Sequence, residues 1–153
     1  ISEVKLSEYT LRLVIVEDDE HDFELLSRIL KKCEKKFEKV WIKNGNEAIE
    51  FLGNSEIDAP NSSKKNVFFL DINLPMLDGL ELLKMIKGHP STKEDYVIIL
   101  TGSNSERDME TANKNGADLY LEKPFGREKI EEFSKLICSK LTSLTLTDPK
   151  HQK

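Results

Sequence analysis

The chain has 153 residues, 38% hydrophobic and 33% charged, which is one domain's length with an ordinary globular composition. Its 28 acidic residues outnumber its 23 basic ones, for a net charge of −5, and the Lys-rich stretches Lys31–Lys39 and Lys64-Lys65 are short and mixed with Glu or Asn. Without a concentrated basic surface, and without an apolar stretch near the roughly 20 residues that cross a bilayer, neither nucleic acid nor a membrane is expected as a partner.

The first ten residues, ISEVKLSEYT, lack the basic patch and apolar run of a signal peptide, which leaves the cytoplasm as the expected location. Leu11–Val16 is an almost unbroken apolar run, predicted to be a strand covered on both faces. Phe23, Leu26, Ile29, Leu30 and Cys33 then recur at helical spacing. Val40–Lys43 reads as a second strand. Asn44-x-x-Glu47 is a capping signature ahead of the short stripe Ala48, Ile49 and Leu52. Asn54–Asn66 is polar, with Pro60 and Ser62-Ser63, and reads as a long loop.

Val67–Ile72 is the third predicted strand. Asp78-x-x-Glu81 starts a helix with Leu80, Leu83 and Ile86, and Gly88 before Pro90 stops it. The polar Lys93–Asp95 leads into the fourth strand, Tyr96–Leu100. Ser105-x-x-Asp108 opens the helix with the weakest stripe, Met109 and Ala112, ended by Asn115-Gly116. Leu119–Leu121 is the fifth strand, and Ile130, Phe133, Ile137 and Leu141 mark the last helix. From Thr145 a frayed tail is expected.

Strict alternation of strand and helix predicts an α/β fold, (βα)5, with helices on both faces of a doubly wound parallel sheet. Cys33 and Cys138 lie in separate helical patterns with neither CxxC spacing nor a Cys/His cluster, so buried free thiols are expected and a zinc site is not. His21, His89 and His151 are scattered in polar surroundings and suggest no His-based site.

The residues that carry chemistry stand at the carboxyl ends of predicted strands. Glu17, Asp18 and Asp19 follow the first, Asp71 closes the third with Asn73 two residues on, Thr101-Gly102 end the fourth, and Lys123-Pro124 the fifth. In the flavodoxin-like strand order 2-1-3-4-5, the ligand crevice lies between strands one and three. Neighbouring strands are about 4.8 Å apart, so Asp18 and Asp71 would reach one metal ion. Carboxylates gathered there would repel, and a hard cation with oxygen ligands, Mg²⁺, relieves the repulsion. Lys123, the Thr101 hydroxyl and the Thr101–Gly102 backbone are donors of the kind that stabilise a transferring phosphoryl group, and Asp71 is the best-placed carboxylate nucleophile. An acid after a strand is often only a helix cap, and Asp19 is read that way. Four strand ends in a row carrying acid pair, acid, hydroxyl and Lys-Pro are a different matter.

At these positions the chain resembles the response-regulator receiver family. The matching pieces are VEDD (Val16–Asp19), FLDINLPMLDG (Phe69–Gly79), LTG (Leu100–Gly102) and YLEKPF (Tyr120–Phe125), within a likeness over residues 11–141. The resemblance implies that Asp71 accepts phosphate from a phosphohistidine of a sensor histidine kinase or phosphotransfer protein. It implies that Asp18 binds Mg²⁺ directly, Glu17 through water or a hydrogen bond, and the Asn73 carbonyl as a further ligand. Thr101 and Lys123 would hold the phosphoryl group, and Tyr120 would be the rotating aromatic that reports the state. The Lys123–Pro124 peptide is expected to be cis, aiming Lys123 at Asp71. The long Asn54–Asn66 loop and the Lys93–Asp95 stretch resemble the single-domain regulators paired with bacterial phytochromes.

On this reading residues 11–144 are a receiver domain between an extension, 1–10, and a tail, 145–153, with no effector domain. Output is expected through protein contact or a homodimer, at the face of the fourth helix, fifth strand and fifth helix, or by passing the phosphoryl group onward. Such a domain is a phosphoacceptor rather than an enzyme in its own right. Two rivals differ in kind. Haloacid-dehalogenase-type phosphatases place Asp-x-Asp after the first strand, whereas here the candidate nucleophile follows the third and has Asn73 at +2, which cannot serve as the acid. A pseudo-receiver binding module usually lacks the acid pair, the phosphoacceptor or the Lys, all present here.

Overall fold

Successive residues of a strand point to opposite faces, so an unbroken apolar run is satisfied only when both faces are covered. The computed structural model, which describes residues 10–33, 37–53, 64–102, 105–123 and 127–146, has that architecture. In chain order the elements are β1 (Thr10–Val16), α1 (Glu20–Lys31), β2 (Glu38–Ile42), α2 (Gly45–Leu52), β3 (Lys64–Leu70), α3 (Gly79–Gly88), β4 (Tyr96–Thr101), α4 (Glu106–Lys114), β5 (Leu119–Glu122) and α5 (Arg127–Leu146). The strands form one parallel sheet in the order β2-β1-β3-β4-β5, as the flavodoxin-like pattern predicts.

Alternation along the strands divides the core into two layers. Val14, Val16, Phe68, Leu70, Val97 and Ile99 pack against Ala48 and Leu52 of α2, Leu82, Leu83 and Ile86 of α3, and Ala112 of α4. Leu13, Ile15, Val67, Phe69, Ile98 and Leu100 pack against Leu26, Ile29 and Leu30 of α1 and Phe133, Ile137 and Leu141 of α5. Phe68 and Phe69 are adjacent, fully buried and on opposite faces. Each contributes about 1.5–3 kcal/mol of burial.

The capping signatures act as expected. The Asn44, Asp78 and Ser105 side chains accept backbone N–H groups of Glu47, Leu80 and Asp108, and Asp19 caps α1 through the Asp22 N–H. At the end of α3, His89 is already extended, as a residue before proline must be. Gly116 takes φ +93 just past α4.

Three expectations are corrected. Cys33 and Cys138 are not free thiols: they form a disulfide between the end of α1 and α5, with Cα atoms 5.2 Å apart. The third strand begins at Lys64 rather than Val67, so the polar Lys64–Asn66 belongs to the sheet. It is held there by backbone pairing to Thr10, Leu11 and Arg12 and by burial of Asn66 against Asp95. The rest of the expected loop, 54–63, lies outside the described residues. The chain does not fray at Thr145, which is buried within the last turn of α5 beside Leu144. No described helix is long and apolar enough to cross a membrane.

Candidate functional site

Parallel strands all end at the same edge of the sheet, so residues that follow them converge there. Backbone hydrogen bonds extend the sheet one step past the strand ends. The Glu17 N–H donates to the Ile42 carbonyl at 2.9 Å, the Asp71 N–H to Val16 at 3.3 Å, and the Lys123 N–H to Thr101 at 2.8 Å. Glu17, Asp71 and Lys123 are thereby each tied through the backbone to a neighbouring strand. Gly79 tightens the arrangement from the other side. A Cβ there would collide with the Asp71 carbonyl oxygen and lie 2.7 Å from the Ile72 Cα, so only glycine lets α3 start this close to the segment bearing Asp71.

The side chains meet at Lys123. Its ammonium lies 2.7 Å from Glu17 Oε1, 2.6 Å from Asp22 Oδ2 and 2.8 Å from Asp71 Oδ2. Lys123, Glu17 and Asp71 are buried. Burial alone would lower the lysine, but the hydrogen bonds it donates to Asp22, Asp71 and Glu17 outweigh it and hold the ammonium above the usual lysine range. Glu17 moves the other way from a normal carboxylate: burial pushes it up to about 7 against the pull of Lys123, with the Asp71 charge adding to the rise. One cation therefore serves three carboxylates.

Asp18, next to Glu17, is exposed, yet carboxylate oxygens of Glu17, Asp18 and Asp71 all lie within 4.8 Å of one another. Oxygen donors this close fit a hard divalent cation. The acidic cluster Glu17, Asp18 and Asp71 can bind a metal. The Asn73 N–H donates to Asp71 Oδ1 at 2.9 Å, curling the chain after β3 around that carboxylate.

Thr101, the last residue of β4, is completely buried. Tyr120 is half-buried on β5, paired in register with Ile99 and packed against the layer covered by α2, α3 and α4. Thr101 lies two residues beyond Ile99, so its side chain leaves the sheet on that same face. The expected cis peptide involves Pro124, which lies outside the described residues.

Two participants were not anticipated. Asp22 stands four residues after Asp18, in the first turn of α1, and bonds Lys123. It had a signal: Asp22, Leu26 and Ile29 lie on one helical stripe, so an acid occupies the core-facing side of α1 near the strand ends. Trp41, the chain's one tryptophan, stacks on Phe23 with ring centroids 3.9 Å apart and donates its indole N–H to the Glu17 carbonyl at 2.8 Å. Nothing local in the sequence marks that contact.

Known proteins share this sequence pattern and fold. Residues 13–135, well over half of the chain, match the family model described as "Response regulator receiver domain". The chain is 33% identical over 111 residues to response regulator Rcp1 of Synechocystis sp., covering 72% of this chain and 75% of Rcp1. A crystal structure of the Mn²⁺-bound form of Rcp1 superposes with a TM-score of 0.75 at 28% identity, over 90% of this chain and 99% of that one. The phosphorylated cyanobacterial phytochrome response regulator RcpA superposes with a TM-score of 0.74 at 25% identity, over 91% and 99%.

Proposed function

Given that this chain belongs to the response regulator receiver domain family, we propose that Asp71 takes up a phosphoryl group from a phosphohistidine and that the acquired charge switches contacts with other proteins. Receiver domains interact with histidine kinases or phosphotransfer proteins, and either is the proposed donor. The observation that carries the reading is the 2.8 Å ion pair of Asp71 with Lys123, at the edge of a cluster of close carboxylates. It sets a nucleophile beside a cation that can follow the charge onto the transferred group.

In the proposed step an Asp71 carboxylate oxygen forms a bond to phosphorus as the P–N bond to the donor imidazole breaks. The electron pair of that bond stays on the imidazole nitrogen, which then takes a proton from water. Lys123 donates to a phosphoryl oxygen, and the Thr101 hydroxyl to another. Glu17, Asp18, Asp71 and the Asn73 carbonyl would hold Mg²⁺. When bound, Mg²⁺ supplies a compact double charge that offsets the charge on the phosphoryl oxygens. Rcp1 in a Mn²⁺-bound form and RcpA in a phosphorylated form are relatives in the two conditions this reading assigns to the chain. The reading puts the domain in the cytoplasm, where a kinase histidine is charged from ATP. Its output face is α4, β5 and α5, engaged by a downstream protein or a second copy.

The test is incubation with acetyl phosphate and Mg²⁺. One phosphoryl group should be added per chain, none without the metal, and none in Asp71→Asn, which should remain folded. Labelling of Asp71→Asn at the wild-type rate would overturn the assignment.

A further inference from the structure

A lysine ammonium has three N–H donors, and in Lys123 all three are committed, to Glu17, Asp22 and Asp71. A phosphoryl oxygen can receive an N–H from Lys123 only if one of these carboxylates gives it up. Glu17 and Asp71 both belong to the carboxylate cluster that can hold a divalent cation; Asp22 does not. When the other two turn to a metal or to phosphorus, Asp22 is the partner left. Among the described residues, the cavity that Lys123 shares with these three carboxylates is otherwise lined by apolar side chains, Leu25, Leu26, Leu100 and Phe133 among them.

Building on the phosphoacceptor reading, we infer that Asp22 is a positioning residue, which holds the Lys123 ammonium beside Asp71 while Glu17 is given over to the cation. Its place on α1 suits the task. The Asp22 backbone N–H is fixed by the Asp19 cap at 3.0 Å, and its side chain, 29% exposed, points from the first helical turn to Lys123. The cap uses the backbone and not the carboxylate, so substitution of Asp22 leaves the start of α1 intact. Loss of the carboxylate removes a charge-assisted hydrogen bond from a buried cation and frees a long side chain to leave the line between donor and acceptor.

The experiment compares wild type with Asp22→Ala and Asp22→Glu. At saturating Mg²⁺ and acetyl phosphate, Asp22→Ala should label Asp71 about tenfold more slowly, the scale set by one charge-assisted hydrogen bond. Its Mg²⁺ affinity, read from Trp41 emission, should be unchanged, and Asp22→Glu should recover much of the rate. In the metal-free protein, the ¹H–¹⁵N signal of the Lys123 ammonium should be sharp in wild type and lost to faster exchange with water in Asp22→Ala. Labelling of Asp22→Ala at the wild-type rate would overturn the inference. So would a slower rate accompanied by equally weakened Mg²⁺ binding, because Asp22 would then act on the metal side. A wild-type chain that takes no label at Asp71 would instead remove the phosphoacceptor reading on which the inference rests.

Discussion

The indole of Trp41 is hydrogen-bonded at 2.8 Å to the carbonyl oxygen of Glu17, the residue whose carboxylate faces Asp71 across Lys123. An ion drawn to Glu17, Asp18 and Asp71 is expected to draw the Glu17 carboxylate away from Lys123, a motion that begins at the backbone the indole holds. Trp41 emission should therefore change saturably on titration with Mg²⁺. Asp18→Asn should shift the titration to higher concentration more than Glu17→Gln does. Trp41→Phe should lose the signal yet still be labelled by acetyl phosphate. A flat emission trace from a protein that labels in a Mg²⁺-dependent way would rule out this coupling.

The Cys33–Cys138 bond encloses a sequence separation of 105 residues and ties α1 to α5, which pack together on one face of the sheet. Closing so long a loop restricts the unfolded chain and stabilises the fold by about 4–5 kcal/mol on chain-entropy grounds. Cytosolic thiols are kept reduced, so a cytoplasmic location and this bond make opposite demands. Urea unfolding should show the midpoint of the oxidised protein falling when dithiothreitol is added. A Cys33→Ala, Cys138→Ala variant should match the reduced protein and ignore the reductant. Equal midpoints with and without reductant would mean that the bond constrains nothing.

A polar network is buried at the opposite end of the sheet. Arg12 Nε donates to Asn66 Oδ1 at 2.8 Å, and Asn66 Nδ2 donates to Asp95 Oδ2 at 2.9 Å. Burial pushes Asp95 up to about 6, although the Asn66 hydrogen bonds and the charges of Lys65 and Lys87 oppose it. A carboxyl raised on folding favours the native state while protonated, below its unfolded value near 4. That contribution is lost as pH rises through about 6, and at most it amounts to about 3 kcal/mol. Asp95→Asn cannot lose it. The variant's melting temperature should gain on wild type between pH 4 and pH 7, as read by calorimetry at several pH values. A difference that stays constant with pH would refute the assignment to Asp95.

The sheet and most of the candidate site were legible because parallel strands deliver their next residues to one edge. Glu17, Asp71, Thr101 and Lys123 needed only the strand ends to be located. What escaped depends on contacts between distant segments. Lys64–Asn66 is too polar to read as a strand until Asn66 has Arg12 and Asp95 beside it. Cys33 and Cys138 carry no spacing signal, because only the docking of α1 on α5 brings them together. Asp22 was visible as an acid on a core-facing stripe, but its partner Lys123 lies 101 residues away. Helix periodicity alone does not name that partner.

Thr101 and Tyr120 leave the sheet on the side covered by α4, and Tyr120 stands opposite Ile99 in the β4–β5 register. Of the helices on that side, α4 has the weakest hold. Ala112 is its one buried residue, against five in α3. Phosphorylation of Asp71 offers the Thr101 hydroxyl a new acceptor. Drawing the Thr101 hydroxyl toward Asp71 opens room next to Tyr120, whose ring is only half-buried. The least anchored neighbour, α4, is then the element that moves at smallest cost, and phosphate selects this packing because it makes contacts there that the other packing lacks. Beryllofluoride, a phosphoryl mimic, should shift the amide signals of Thr101, residues 105–115 and Tyr120 when added with Mg²⁺. Thr101→Ala should abolish the shifts at residues 105–115 and Tyr120 while leaving those around Asp71 in place. Shifts confined to α2 and α3 would exclude α4 as the carrier of the signal.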